Sequence, residues 1–225
     1  MQILGIIPAR GGSKGIPQKN IRGFVDKPLI DWTIDVAKQS NLSDIIVTSD
    51  CDLILKHSKN KGVMTVKRPD ELATDTALML PTIKHAVQTF SHKKGIMPNA
   101  ICLLQPTNPL RTLKTINDCI ELISQPNVKS VTTVYEGIHP KKCYYVDGQP
   151  LIDTHEAYDR HRDMVLTRSG SIFMTMTEYI YEGFLLYQPK LYKTDKYEAV
   201  DINDFEDLYI AEALVKHMRS DGHSI

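Results

Sequence analysis

Apolar residues occur along this chain in short, nearly unbroken runs, separated by longer stretches where they recur every three to four positions. The runs at residues 3–8, 44–49, 63–66, 100–104 and 130–135 are rich in Ile, Val and Leu. Runs this short and this continuous predict strands buried on both faces. Residues 29–40, 53–61, 80–90 and 115–123 instead carry apolar side chains at helical spacing, as Leu29, Trp32, Val36 and Ala37 illustrate. Strand and helix alternate, which predicts an α/β fold: a Rossmann-like, mainly parallel sheet flanked by helices.

The alternation lapses over residues 136–167, a polar stretch with a charged run at 155–163. Within it, Asp147-Gly148 between two short runs, 142–146 and 149–152, reads as a hairpin turn. A connection this long is more often functional or interfacial than plain linkage. Regular structure is predicted again at 171–175, 185–188 and 199–202, followed by a helix over 203–218. The 225 residues therefore read as one domain, 1–225, carrying residues 136–167 as an arm.

Charge balance narrows the partners. Lys plus Arg number 27 and Asp plus Glu number 27, for a net charge of zero. General nucleic-acid and membrane-surface binders rely on a basic excess, so neither partner is expected. The four cysteines form no C-x-x-C pair, and Cys102 and Cys119 sit in apolar stretches as core residues would. No run reaches membrane-spanning length, and the amino terminus leads straight into a strand without a basic leader. A cytoplasmic setting is expected. The eight histidines show no metal-ligand spacing, and no Ser-His-Asp or Cys-His arrangement can be placed. Zinc and hydrolase chemistry are disfavoured.

In an open parallel sheet, ligands bind where loops leave the carboxyl ends of the strands. Each of four strand exits here carries charged or amide residues. The first empties into Pro8-Ala9-Arg10-Gly11-Gly12-Ser13-Lys14-Gly15, followed by Lys19-Asn20. Glycines let such a loop curl and expose backbone N–H groups, and three cations add charge for a polyphosphate. The spacing matches neither the P-loop nor the dinucleotide fingerprint. The second exit holds Thr48-Ser49-Asp50, the third Arg68-Pro69-Asp70-Glu71 and Thr74-Asp75-Thr76, the fourth Gln105-Pro106-Thr107-Asn108-Pro109-Leu110-Arg111. Pro69 holds Arg68 extended, so its planar fork is fixed in direction, suiting a nucleobase edge; a surface salt bridge to Asp70 or Glu71 is the plainer reading. Thr74 or Asp75 is expected to cap the next helix. The amides and hydroxyl of 105–108 suit a polyol, or merely a helix-initiating turn. Late in the chain, Asp201-Ile202-Asn203 would place residues 201 and 203 on one face if extended. Two oxygen ligands side by side suit Mg²⁺, while Asn203 or Asp204 also suits a helix cap.

With those residues in view, the chain resembles the CMP-sialic acid synthetases, the N-acylneuraminate cytidylyltransferases, over nearly its full length. The likeness lies in I-P-A-R-G-G-S-K-G-I-P-x-K-N at 7–20, R-P-x-E-L-A-T-D-T-A at 68–77, L-L-Q-P-T-N-P-L-R-T at 103–112, H-P-x-K at 139–142 and V-D-I-N at 200–203. The resemblance implies transfer of CMP from CTP to the anomeric hydroxyl of a nonulosonic (sialic-type) acid, with release of pyrophosphate. It implies that Arg10, Lys14 and Lys19 hold the triphosphate, within a nucleotide site that includes Ala9, Gly11, Ser13 and Ala77. Asn20 and Arg68 would touch the cytosine and its surroundings. Gln105 and Thr107 would face the sugar, as would Phe173, and Lys142 with Arg160 or its rival Arg162 would meet the sugar carboxylate. Asp201 and Asn203 would hold Mg²⁺ or Mn²⁺, and Arg10, Lys14, Lys19 and Asp201 would form the catalytic set. Phe184 and Leu185 would pack against the N-acyl group across a homodimer, to which the 136–167 arm would contribute.

Four features depart from the family pattern. Asn203 replaces a second aspartate, and Met79 falls where a serine often helps read cytosine. Thr167-Arg168-Ser169-Gly170-Ser171 replaces R-P-N-G, and Phe173 replaces a common tyrosine. The last two imply an acceptor other than plain N-acetylneuraminate, such as legionaminate, pseudaminate or a deaminated nonulosonate. Two alternatives stand beside this reading. Another sugar-nucleotide pyrophosphorylase would need cations for a second phosphate in the acceptor site. A nucleotide-binding homologue with impaired catalysis would bind CTP without turnover.

Overall fold

The computed structural model describes residues 1–138 and 165–222. The expected hairpin at Asp147-Gly148 and most of the 136–167 arm lie outside the described residues.

Seven strands form one sheet, in the order β5-β4-β1-β6-β8-β7-β9. They are β1 (Ile3–Pro8), β4 (Asp44–Ser49), β5 (Met64–Lys67), β6 (Ala100–Leu103), β7 (Ser130–Glu136), β8 (Leu166–Met176) and β9 (Lys190–Lys193). Strands β2 (Gly23–Phe24) and β3 (Lys27–Pro28) form a separate small hairpin. β1 pairs in parallel with β4 and β6, and β4 with β5. Only β8 runs against its neighbours, pairing antiparallel with β6 and β7, while β9 is parallel to β7. The mainly parallel sheet is as expected.

The reason for the continuous apolar runs is visible in β1, where all six residues are buried. Ile3 and Ile7 point into one core cluster, Leu4 and Ile6 into another. The first cluster meets α1 (Leu29–Gln39), α2 (Asp52–Asn60) and α4 (Leu113–Ile123). The second meets α3 (Met79–Lys94) and α5 (Thr177–Glu182). Helices thus cover both faces, which is what a parallel sheet requires. Cys102 and Cys119 are buried, and desolvation pushes the Cys102 thiol up to about 12, so both act as small core residues.

A third cluster matters for the site. Ile16 and Ile202 pack with Phe24, Leu29, Trp32 and Leu110 against Leu208, Ala211 and Val215 of α6 (Phe205–Ser220). It clamps the loop after β1 to the segment entering α6.

One expected strand is displaced. Residues 185–188 have no regular structure, and β9 begins at Lys190 instead. Leu185 is anchored as loop, its carbonyl accepting from Thr175 Oγ1, and Gln188 has a positive φ of 47°. Apolar side chains there serve packing rather than a ladder. Likewise 200–202 has no regular hydrogen bonding, although residues 201 and 203 do face outward around a buried Ile202. Among the described residues no helix is long and apolar enough to cross a membrane.

Candidate active site

β1, β5 and β6 end at one cleft of about 280 Å³. Its walls come from four stretches that are distant in sequence. Pro8 ends β1, and Arg10, Gly12, Ser13, Lys19 and Asn20 come from the loop after it. Arg68 follows β5, and Met79 opens α3. Gln105, Pro106 and Thr107 follow β6, and Asp201 and Asn203 precede α6. Three of the four strand exits therefore meet at one place; Thr48-Ser49-Asp50 at the end of β4 does not line it, and Asp50 faces a neighbouring cavity instead.

The loop after β1 is held by its own backbone and by its neighbours. The Gly11 N–H donates to Asp50 Oδ1 at 2.8 Å, and Asn20 Nδ2 donates to the Arg10 carbonyl at 2.9 Å. Gly15 lies against the backbone of Asn203, and a Cβ at this position would fall on the Asn203 carbonyl oxygen. Lys19 Nζ donates to the Ile202 carbonyl at 2.7 Å. The Ile202 N–H in turn donates to the Thr107 carbonyl at 2.8 Å. The cation loop, the 201–203 segment and the 105–107 loop are thus tied by backbone contacts, independent of any ligand.

Burial tunes the cations. Desolvation holds the Lys19 ammonium below its usual pKa, opposed by the nearby Asp201 carboxylate. Arg68 is only 4% exposed, and burial likewise lowers its pKa against the opposing charge of Asp50. Its Nη2 donates to the Thr48 carbonyl at 2.8 Å and its Nε to Thr48 Oγ1 at 3.4 Å. The surface salt bridge to Asp70 or Glu71 does not form, because the guanidinium turns under β4 towards the cleft. Nη1 has no hydrogen-bond partner among the described residues.

Arg10 reaches the cleft but also donates Nη1 to Asp75 Oδ1 at 2.6 Å. Lys14 Nζ pairs with Asp75 Oδ2 at 2.8 Å, is 80% exposed along its side chain, and does not line the cleft. The expectation that Thr74 or Asp75 caps α3 is overturned. The helix starts at Met79, its cap position is Leu78, and no side chain caps it. Asp75 is drawn to the two cations instead. At α6 capping falls to Asp204, whose Oδ1 accepts from the Asp207 N–H at 3.0 Å. Asn203 is thereby released from capping, and its Nδ2 donates to Asp201 Oδ2 at 3.2 Å.

Two residues of the 105–111 stretch turn inward. Asn108 is fully buried, its Nδ2 donating to the carbonyls of Val200 (3.0 Å) and Ser169 (3.3 Å). It braces the loop rather than reading a polyol. Arg111 is 4% exposed and donates to the Gln105 carbonyl, the Ser171 carbonyl and Thr33 Oγ1. Nothing in their residue type distinguished them from Gln105 or Thr107, which do face the cleft.

The remaining expected site residues lie elsewhere. The Ala9 side chain is buried in the core, its N–H donating to the Thr48 carbonyl at 3.0 Å. Gly11 faces a neighbouring cavity beside Cys51, and Ala77 sits in the turn before α3. Phe173 is half-buried on β8 opposite Leu103, packed into the core. Phe184 is 42% exposed and lies tilted against the Tyr187 ring, while Leu185 packs beside Thr175. Thr175 pairs with Ser130 and Ile101, at the end of the sheet away from the cleft. The chain does not bring Phe184 and Leu185 to its own cleft. Lys142, Arg160 and Arg162 lie outside the described residues.

Comparison with known proteins follows this geometry. The Cytidylyltransferase family model matches residues 4–219. N-acylneuraminate cytidylyltransferase of Escherichia coli is 30% identical over 223 residues, covering 93% of this chain but 51% of its own length. CMP-N,N'-diacetyllegionaminic acid synthase of Legionella pneumophila is 30% identical over 229 residues, covering 96% and 97%. The chain thus spans about half of the first relative and nearly all of the second. A CMP:2-keto-3-deoxy-manno-octonic acid synthetase solved with CTP shares the fold, with a TM-score of 0.72 and 14% identity over 96% of this chain and 99% of that one.

Proposed function

The chain belongs to the cytidylyltransferase family, and from that premise we propose that it transfers CMP from CTP to the anomeric hydroxyl of a nonulosonic (sialic-type) acid. The observation that carries this reading is the convergence of Arg10, Lys19 and Arg68 with Asp201 on one cleft at the strand ends. The sugar hydroxyl oxygen attacks the α-phosphorus of CTP as its proton is lost to water. The bond from that phosphorus to the bridging oxygen breaks, and pyrophosphate leaves. Charge builds on the phosphate oxygens as it does so, and fixed cations in a partly desolvated cleft stabilise that charge without reorganising. Lys19 is already oriented by the Ile202 carbonyl, and Arg68 by Thr48. Gln105 and Thr107 line the same cleft, where they would meet the acceptor.

The donor set of Asp201 and Asn203 fits a Mg²⁺ ion held mainly by phosphate oxygens and water, since this ion needs only one or two protein oxygens. Among the described residues no group of three or more His, Cys, Asp or Glu side chains forms a cage of its own. Asp201 and the amide oxygen of Asn203 would hold the ion, which would neutralise phosphate charge and acidify the attacking hydroxyl. Asn203→Asp is expected to lower the Mg²⁺ concentration giving half-maximal rate. It is also expected to make the thermal midpoint more sensitive to added Mg²⁺, because a second carboxylate beside Asp201 repels it until a cation binds. Titrations identical to those of the parent would place residue 203 away from the ion.

Pyrophosphate release with CTP, Mg²⁺ and a panel of nonulosonic acids tests the activity. The Legionella relative directs the panel towards diacetylated sugars as well as N-acetylneuraminate. No release with any of them would remove the proposal. CTP binding without turnover would point to the impaired homologue, and turnover only with sugar phosphates to a pyrophosphorylase.

The exposed Phe184 beside Leu185, remote from the chain's own cleft, supports a homodimer in which these residues meet the partner's sugar. The 136–167 arm would contribute to that contact, and the assembly would work in the cytoplasm. Sedimentation at micromolar concentration is expected to give twice the 25.5 kDa chain mass. A single-chain mass would defeat the dimer.

A further inference from the structure

Asp75 bridges two cations of the loop after β1. It is the one carboxylate touching Arg10 and Lys14 among the described residues, and it bridges them with separate oxygens, Oδ1 to Arg10 Nη1 at 2.6 Å and Oδ2 to Lys14 Nζ at 2.8 Å. Two cations on two oxygens of one planar anion is how such a loop would grip a phosphate group. The pairing has a geometric consequence. Arg10 still lines the cleft, but Lys14, tied to Asp75, does not.

The segment carrying Asp75 is otherwise lightly held. It runs from a 3₁₀ turn at Asp70–Leu72 to the uncapped start of α3 at Met79. Its backbone hydrogen bonds are local, Ala73 N–H to the Asp70 carbonyl and Ala77 N–H to the Thr74 carbonyl. Leu78 beside it is 74% exposed. The two ion pairs are its links to the loop after β1.

We propose that Asp75 is a phosphate surrogate: it holds Arg10 and Lys14 until the triphosphate of CTP takes their donors and displaces it. The proposal rests on the nucleotide reading of the cleft given above. A carboxylate there opposes the incoming nucleotide twice, by competing for the same N–H donors and by repelling phosphate charge. The opposite role, in which Asp75 aims the two cations at the substrate, predicts the opposite sign on removal. The position of Lys14 outside the cleft favours displacement. Asp75 is thus a positioning residue that sets nucleotide affinity, not one that touches the reacting atoms.

The test is calorimetric titration of CTP, and separately of inorganic triphosphate, into the full chain without acceptor. Asp75→Asn and Asp75→Ala are each expected to bind both probes about threefold to tenfold tighter, as befits release of one or two exposed ion pairs. Affinity in both variants should also fall more steeply with salt, because uncompensated cations now meet the ligand. In turnover, KM for CTP should fall while kcat does not rise. A side chain with a merely structural role would not raise affinity when removed. Arg10→Ala and Lys14→Ala, titrated alongside, separate the two layers of inference. If both leave CTP binding unchanged, the phosphate reading of the loop fails and the surrogate with it. If they weaken binding while the Asp75 variants bind CTP equally or more weakly than the parent, the surrogate alone is overturned.

Discussion

An Arg10→Ala enzyme should turn over about a hundredfold more slowly than the parent, a loss of roughly 3 kcal/mol of transition-state stabilisation. Arg10 leaves β1 directly into the cleft, and its guanidinium shares the Asp75 carboxylate with Lys14. A fixed cation there acts on the charge that develops as pyrophosphate departs. Lys59→Ala is the comparison. Lys59 is exposed on α2, where removal of a lone surface charge should change turnover by less than about threefold. The measurement is steady-state pyrophosphate release at saturating CTP and acceptor. Stability should be nearly unaffected, since the Arg10 side chain is 34% exposed and its ion pair lies at the surface. Equal kcat values for the two variants would remove the loop after β1 from the chemistry. If Asp75 competes with phosphate, adding Asp75→Asn to Arg10→Ala should recover part of the lost affinity, because the orphaned carboxylate no longer repels the nucleotide.

The sheet was legible because its central strands are buried on both faces. β1 and β4 have the bounds read from their apolar runs. The last strand was not, for a physical reason. Of the residues of β9, only Tyr192 is even half-buried; Lys190, Leu191 and Lys193 are exposed at the sheet edge. No apolar run marks such a strand, while the apolar run just before it, Phe184 to Tyr187, folds as packed loop. The length of β8 was also understated. Its first half, from Leu166, is polar and partly exposed, and it pairs with β7 across a bulge between Thr132 and Val134.

The site was legible as a set of loops but not residue by residue. Strand exits select a place, and composition cannot say which side chains in that place turn outward. Lys19 and Asp201 were read as facing one ligand, and the structure puts both on the cleft. Asn108 and Arg111 carry equally suitable chemistry and are buried. Asp75 looked like a cap because caps are local and its true partners, Arg10 and Lys14, are more than sixty positions away. Gly15 was read for its backbone N–H. Its closer constraint is the Asn203 carbonyl, which leaves no room for a Cβ. Such contacts between distant segments leave no trace in local spacing.

Arg111→Met is expected to lower stability by about 3 kcal/mol, since removing the charged member of a buried polar network strands its partners. Met keeps an apolar stem of similar reach, so a cavity is not the main effect. The magnitude is decided by two opposing contributions. Desolvation disfavours the buried guanidinium and lowers its pKa to about 10, and substitution relieves that penalty. Against it stand three donated hydrogen bonds, to Gln105, Ser171 and Thr33. The Gln105 carbonyl keeps the Asn108 N–H at 3.2 Å, but the Ser171 carbonyl and the Thr33 hydroxyl lose a charged donor in a dry interior. Bonds to charged groups are the stronger class, so the loss should prevail. For a chain of this size the thermal midpoint should fall by roughly 6–12 °C. Arg111→Lys should fall between, because an ammonium at the end of a flexible stem serves fewer of the three acceptors at once. The loss should reach function as well. The Gln105 carbonyl is the anchor by which Arg111 holds the 105–107 loop against β8, so the still-folded fraction should show a raised KM for the acceptor with KM for CTP less affected. An unchanged midpoint for Arg111→Met would mean that the guanidinium is filler and that the 105–107 loop is held by its other contacts, Asn108 and the Ile202 N–H to the Thr107 carbonyl among them.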